Sequence, residues 1–264
     1  MLSFAVTAFC ETSRRRLRGQ RILDCILAAQ LHPAVQEVVI VDDASPDFAE
    51  LEELLSGRPK VKLYRNEQNL SVFGNKLESV ARCSQPWVVM CDSDNRMGQD
   101  FLDRIMRLDR RQDTWYSPSY ARPNFDYREL QGTYDLDTLR SVLHHPMLHC
   151  CLNTGNQTVP REPYLDLFGS YRNRRVDLIM PNYLNLPEEE RRRERWRQVW
   201  NANDSFLFNL EWLCAGKRLC VVEGLEYEHH YSGGADSNFA RAPVEKDMLG
   251  ARLFSELRKA AKWA

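Results

Sequence analysis

The first hundred residues alternate between two hydrophobic patterns, and that alternation constrains the fold more than any other feature of the chain. LSFAVTAF at 2–9 is a nearly unbroken strand-forming run, and residues 14–30 then place Leu17, Ile22, Leu23, Ile26 and Leu27 at helical spacing. VQEVVIVDD at 35–43 is a second strand, followed by a short helix at 46–55 opened by the cap-like Ser45-Pro46. KVKLYRN at 60–66 is a third strand, 70–81 a third helix, and WVVMCD at 87–92 a fourth strand. Strands apolar on both faces and separated by helices imply a mostly parallel central sheet flanked by helices, an α/β fold.

Ligands of such sheets bind beyond the carboxyl ends of the strands. The strand ends here are Phe9-Cys10-Glu11, Asp42-Asp43-Ala44-Ser45 and Asp92-Ser93-Asp94. Four aspartates and a glutamate therefore converge on one sheet edge. An extended backbone through Asp92, Ser93 and Asp94 points both carboxylates to one side. Two like charges so close raise one pKa unless a cation neutralises them, and hard oxygen ligands suit Mg²⁺ or Mn²⁺. An isolated acidic pair of this kind reads as a β-turn, since Asp, Ser and Asn are turn formers. Its place at the end of an apolar strand, beside other acidic strand ends, favours a site.

The second half is less regular. Residues 100–111 read as a helix, 114–121 as a strand, 123–135 as a loop or short hairpin and 136–145 as helical. CLNTGNQTVPREPY at 151–164 is turn-rich, with its corner at Gly155-Asn156. Helices at 188–200 and 204–215, a strand at 217–224, a Gly-rich loop at 227–238 and a helix at 244–262 complete the chain. With no repeat or linker, the expectation is one domain over 1–264, with a nucleotide-binding half at 1–98, a second half at 99–240 and a C-terminal helix at 241–264.

A net charge of −1 supplies no field to recruit nucleic acid or an anionic membrane. Bases cluster at 14–18 and 188–197, the latter interleaved with acids as on a solvated helix face. No run approaches the ~20 apolar residues of a membrane span, and the apolar N-terminus lacks the basic flank of a signal peptide, so a soluble cytoplasmic protein is expected. The eight cysteines form no CxxC pair, which argues against a zinc ribbon or dithiol motif. Cys25 and Cys91 fall in apolar stretches and suit a reducing compartment, although the even count leaves disulfides open.

VVIVDDASPD, RNEQNLSVFGNKLESVA and PWVVMCDSDN together resemble the glycosyltransferases of the GT-A (nucleotide-diphospho-sugar transferase) fold, especially family 2. The resemblance continues more loosely through NTGNQTVPREPY, NDSFLFNLEWLCAGKRL and YEHHYSGG. It implies a metal-dependent, inverting transfer of a sugar from a nucleotide-sugar donor, by family habit a UDP-sugar, to a glycan, lipid-linked or protein acceptor. Carried onto this chain, Phe9, Glu11, Asp42, Asp43, Lys76, Asp92 and Ser93 would bind donor. Asp94 with His229 or His230, the former the first choice, would hold divalent Mn²⁺ or Mg²⁺, and Gly233-Gly234 would let that loop close over the diphosphate. Where many members carry Arg, this chain has Gly74, with Lys76 nearby. Asp204, preceded by Asn203 where members usually have Glu, would be the general base or else simply a helix cap. Asn156 and Arg161 would shape the acceptor side, and His144, His145 and His149 are read as structural or acceptor-side. The alternatives are a nucleotidyltransferase that makes a nucleotide sugar, or a catalytically silent glycan- or nucleotide-binding module of the same fold.

Overall fold

The computed structural model describes residues 1–9, 15–171, 187, 189, 202–230 and 243–263. The βα alternation of the first hundred residues builds β1 (Leu2–Ala8), α1 (Arg15–Leu31), β2 (Val35–Asp42), α2 (Phe48–Leu55), β3 (Val61–Arg65), α3 (Ser71–Arg82) and β4 (Trp87–Asp92). Strands β3, β2, β1 and β4 lie side by side and parallel. Residues of β1, β2 and β4 such as Phe4, Val6, Val39, Val41, Val88 and Val89 are completely buried, which is why these strands read as unbroken apolar runs. On α1 the buried stripe is Ile22, Cys25, Ile26 and Ala29, at spacing 3, 1 and 3; Leu27, expected on it, faces solvent.

Next come α4 (Gln99–Arg107), β5 (Thr114–Arg122), the two-residue β6 (Phe125–Asp126), β7 (Gly132–Tyr134), α5 (Leu148–Leu152), β8 (Thr158–Pro160), α6 (Arg161–Phe168), α7 (Asp204–Cys214), β9 (Arg218–Glu228) and α8 (Pro243–Trp263). The sheet runs β3-β2-β1-β4-β8-β5-β9-β7, with β6 beside β5. Three-residue β8 is antiparallel to both β4 and β5 and joins the parallel front to the rest of the sheet.

The back half departs from expectation in three places. The turn-rich stretch at 151–164 contains β8 and the start of α6. The segment at 136–145 is only a 3₁₀ turn at Thr138–Val142, opened by Asp135, whose Oδ1 accepts from the Thr138 N–H at 2.9 Å. The helix expected to reach residue 111 ends at Arg107. Apart from Glu189, the charged segment expected as a helix at 188–200 lies outside the described residues, as do the glycine pair at 233–234 and Glu11. Among the described residues all seven cysteines are free thiols, and no helix is long and apolar enough to cross a membrane.

Candidate active site

The carboxyl ends of β1, β2 and β4 meet at one edge, and hydrogen bonds from neighbouring segments set each aspartate there. Asp42 Oδ1 accepts the Ser45 N–H at 2.8 Å and closes the turn after β2. Asp43 Oδ1 accepts the Leu70 N–H at 2.7 Å and Asn66 Nδ2 at 2.9 Å, so it pins the Asn-rich segment ahead of α3. From α3, Asn75 Nδ2 donates to the Val41 carbonyl at 3.1 Å and ties that helix to the end of β2. Phe9, just past β1, is 45% exposed, so its ring is open to a planar partner.

At the end of β4, Asp92, Ser93 and Asp94 are half-buried. Burial first, and then the charge of Asp92, pushes the Asp94 carboxyl up to about 6. Among the described residues no ion pair joins Asp94 to a cation. The C-terminal end of β9 arrives beside it: Arg96 and Glu228 exchange backbone hydrogen bonds of 3.0 and 2.9 Å, and the His230 N–H donates to Asn95 Oδ1 at 3.2 Å. The two consecutive histidines then diverge, as neighbours on an extended chain must. The His229 ring packs edge-on to Phe125 and Tyr227, its Nδ1 lies 2.9 Å from Asn124 Nδ2, and burial lowers its pKa. His230 is exposed, and its charge acts on Asp94.

Asp204 is the first residue of α7 and is buried, 6% exposed. Its carboxylate reaches no further into the first turn of the helix than the backbone of Ser205. Instead the side chain of Asn153 reaches across, its Oδ1 accepting the Phe206 N–H at 3.2 Å and its Nδ2 donating to the Ala202 carbonyl at 2.7 Å. Asp204 turns to Lys76 of α3, whose ammonium lies 2.7 Å from Asp204 Oδ2, 3.4 Å from Asp92 Oδ1 and 3.0 Å from Ser205 Oγ. Burial raises the Asp204 pKa while Lys76 pulls it back; Lys76, also buried, is held firmly charged by Asp204 and Asp92. Stacked Phe73 and Phe208, with ring centroids 4.1 Å apart, fasten α3 to α7 beside this cluster.

The stretch at 153–157 joins these parts. Asn156 is buried, with Oδ1 accepting the Asp92 N–H at 2.9 Å, so it braces the acidic strand end from behind. Thr154 meets the Tyr227 hydroxyl at 3.3 Å, and Gln157 donates to Asn209 on α7 at 3.2 Å. Gly155 leaves room for the ammonium: a Cβ there would stand 2.9 Å from Asp92 Oδ2, 3.2 Å from Ser205 Oγ and nearer still to Lys76 Nζ. Arg161, expected on the acceptor side, stands at the other end of β4. It follows Pro160, which pairs with Trp87, about 17 Å of strand from Asp92. There it donates to the Ala81 carbonyl at the end of α3 at 3.1 Å and pairs with Glu162. His144, His145 and His149 line a surface pocket of about 310 Å³ with Phe254 and Arg258 of α8.

Comparison with known proteins agrees with this fold. The sequence matches the family described as Glycosyl transferase family 2 over residues 12–150, more than half of the chain. No curated protein matches the sequence. Among solved structures, the fold is similar to S. aureus TarS 1-349 in complex with UDP-GlcNAc, at 13% identity and a TM-score of 0.59, covering 98% of this chain and 72% of that one. It is also similar to GalNAc-T7 with UDP, GalNAc and Mn²⁺, at 12% identity and a TM-score of 0.54, covering 88% of this chain and 43% of that one. With its acidic strand ends, its parallel front sheet and this match, the chain belongs to glycosyl transferase family 2.

Proposed function

We propose that the protein transfers a sugar from a nucleotide-sugar donor to an acceptor hydroxyl by a single inverting displacement. The observation that carries this reading is the meeting of a back-half carboxylate, Asp204, with the donor-side strand end at Asp92, bridged by one ammonium. Asp204 accepts the proton of the acceptor hydroxyl while that oxygen bonds to the anomeric carbon. The bond from that carbon to the diphosphate oxygen breaks, and its electron pair leaves with the diphosphate. A UDP-sugar is the first donor to test, because the similar TarS and GalNAc-T7 structures hold UDP-GlcNAc and UDP. On this reading Phe9 and Asp42 or Asp43 take the base and ribose, and Asp92 takes the ribose or a metal-bound water, with Ser93 also on the donor side.

A divalent Mn²⁺ or Mg²⁺ fits the donor set. Asp94 offers a hard oxygen ligand whose ionisation is resisted by burial and by Asp92, and only partly relieved by Arg21 and His230. Asp94 with His230 or His229 would hold the ion, although no three candidate ligands cluster among the described residues. When bound, it would neutralise the charge growing on the departing diphosphate.

The test is a thermal-shift panel of nucleotide sugars with and without Mn²⁺, followed by Asp204→Asn with the donor found. The expected result is a metal-dependent shift with one donor, and a variant that keeps the shift but loses transfer at least 100-fold, as removal of a general base does. Stabilisation by no donor would remove the reading altogether. A silent module would show the shift without turnover, and a nucleotidyltransferase would instead make the nucleotide sugar from a sugar phosphate.

A further inference from the structure

We propose that Lys76 is the positioning residue of the base, its ammonium clamping Asp204 on α7 to Asp92 at the end of β4. This rests on the reading of Asp204 as general base. Lysine is almost never fully buried unless paired, and Lys76 is only 4% exposed. An ammonium has three protons, and among the described residues three acceptors meet this one: Asp204 at 2.7 Å, Ser205 at 3.0 Å and Asp92 at 3.4 Å. No donor remains for a diphosphate oxygen, which distinguishes this role from the donor contact expected at Lys76. Gly155 floors the space and Asn156 fixes the Asp92 backbone, so the segment at 153–157 holds the clamp in register.

The clamp matters because a base must be ionised to accept a proton. Among the described residues the groups facing Asp204 are Lys76 from α3, Asp92 from β4, Ser205 from its own helix and, more remotely, Tyr164 from α6; His149 of α5 packs edge-on to Phe206 instead. Of these only Lys76 is positive. Burial and Asp92 both favour the protonated carboxyl, and Lys76 opposes them. Removing its charge therefore raises the pH at which Asp204 becomes a competent base.

The experiment compares wild type, Lys76→Met and Lys76→Arg by three measurements. These are carboxyl ¹³C titration of labelled aspartates, which needs no substrate; binding of UDP with Mn²⁺; and the pH profile of kcat/KM. In Lys76→Met the Asp204 signal and the acid limb should both move up by at least one pH unit. The kcat at pH 7 should fall at least tenfold and partly recover at higher pH, with UDP affinity within threefold of wild type. Lys76→Arg keeps the charge but overfills the space above Gly155, so kcat should fall with the acid limb unmoved. That variant keeps the test decisive if the methionine protein does not fold. An unmoved Asp204 titration in Lys76→Met, or a tenfold loss of UDP affinity with kcat preserved, overturns the proposal. The reading beneath it fails separately, if Asp204→Asn retains full turnover.

Discussion

Replacing Gly155 by alanine should release the Lys76 clamp without substituting any of the charged groups. The backbone at Gly155 does not lie in the left-handed region, so alanine brings no conformational strain, and its stiffer unfolded chain alone would favour folding by about 0.4–1 kcal/mol. The cost is steric. The new methyl would occupy space held by Lys76 Nζ, and the ammonium is walled in by Asp204, Asp92 and Ser205. Pushing it from 2.7 Å to about 4 Å from Asp204 forfeits about 2 kcal/mol at an effective dielectric near 20, with a smaller loss at Asp92. A net destabilisation of about 2–3 kcal/mol is expected, below the ~3–5 kcal/mol of breaking a buried pair outright. Urea unfolding at 25 °C measures it, and a double-mutant cycle with Lys76→Met identifies its route. In the methionine background the alanine should cost under about 1 kcal/mol, because the charge it displaces is gone. Equal costs in the two backgrounds would refute the clamp as the source of the effect.

Three further outcomes follow from other groups. Burial would raise the Glu37 carboxyl, but bonds from Lys62, Ser3 and Ser84 overturn that and hold it at about 2. Its pKa is thus depressed from 4.5, so it adds stability above pH 4.5 that is lost as pH falls through 2; with Lys62 half exposed this is about 2–3 kcal/mol, and Glu37→Gln should flatten the acid limb of a stability profile by that much. Asp94 is the opposite case, its raised pKa adding stability only at low pH and losing it as pH rises through about 6. Asp94→Asn should accordingly stabilise the metal-free protein by about 1–2 kcal/mol at pH 8, not at pH 3, while abolishing any Mn²⁺-dependent shift with UDP. Asn156→Ala orphans the Asp92 N–H and should cost about 1–3 kcal/mol by urea unfolding, with weaker donor binding.

The parallel front of the sheet was legible because burial on both faces writes itself into composition: β1, β2 and β4 begin and end within one residue of their apolar runs. The back half was less legible, for specific physical reasons. Pro163 reads as a breaker, yet it falls in the first turn of α6, where a helix needs no donor from it. Thr158–Pro160 is too short to show a period, and only its pairing with β4 and β5 makes it a strand. Gly155 was readable as a corner, but not as the floor beneath an ammonium from a helix eighty residues earlier. Arg161 looked like an acceptor contact because it follows the NTGNQT segment, and β8 carries it to the wrong end of β4.

Three aspartates of one chemical type stand in three different surroundings at this edge. Asp94 is buried beside a negative charge that Arg21 and His230 offset only in part, so it resists ionisation and gains most from an incoming divalent ion. Asp92 shares Lys76 at the longer distance and keeps a third of its side chain in solvent, which leaves it able to accept from a donor hydroxyl. Asp204 is removed from water, which raises its pKa, and holds Lys76 at 2.7 Å, which opposes that rise. Environments that separate like groups in this way assign different roles to them. On the proposed reading the donor contact and the base are the two aspartates that share one ammonium, at 3.4 and 2.7 Å, and moving that ammonium should disturb the base first.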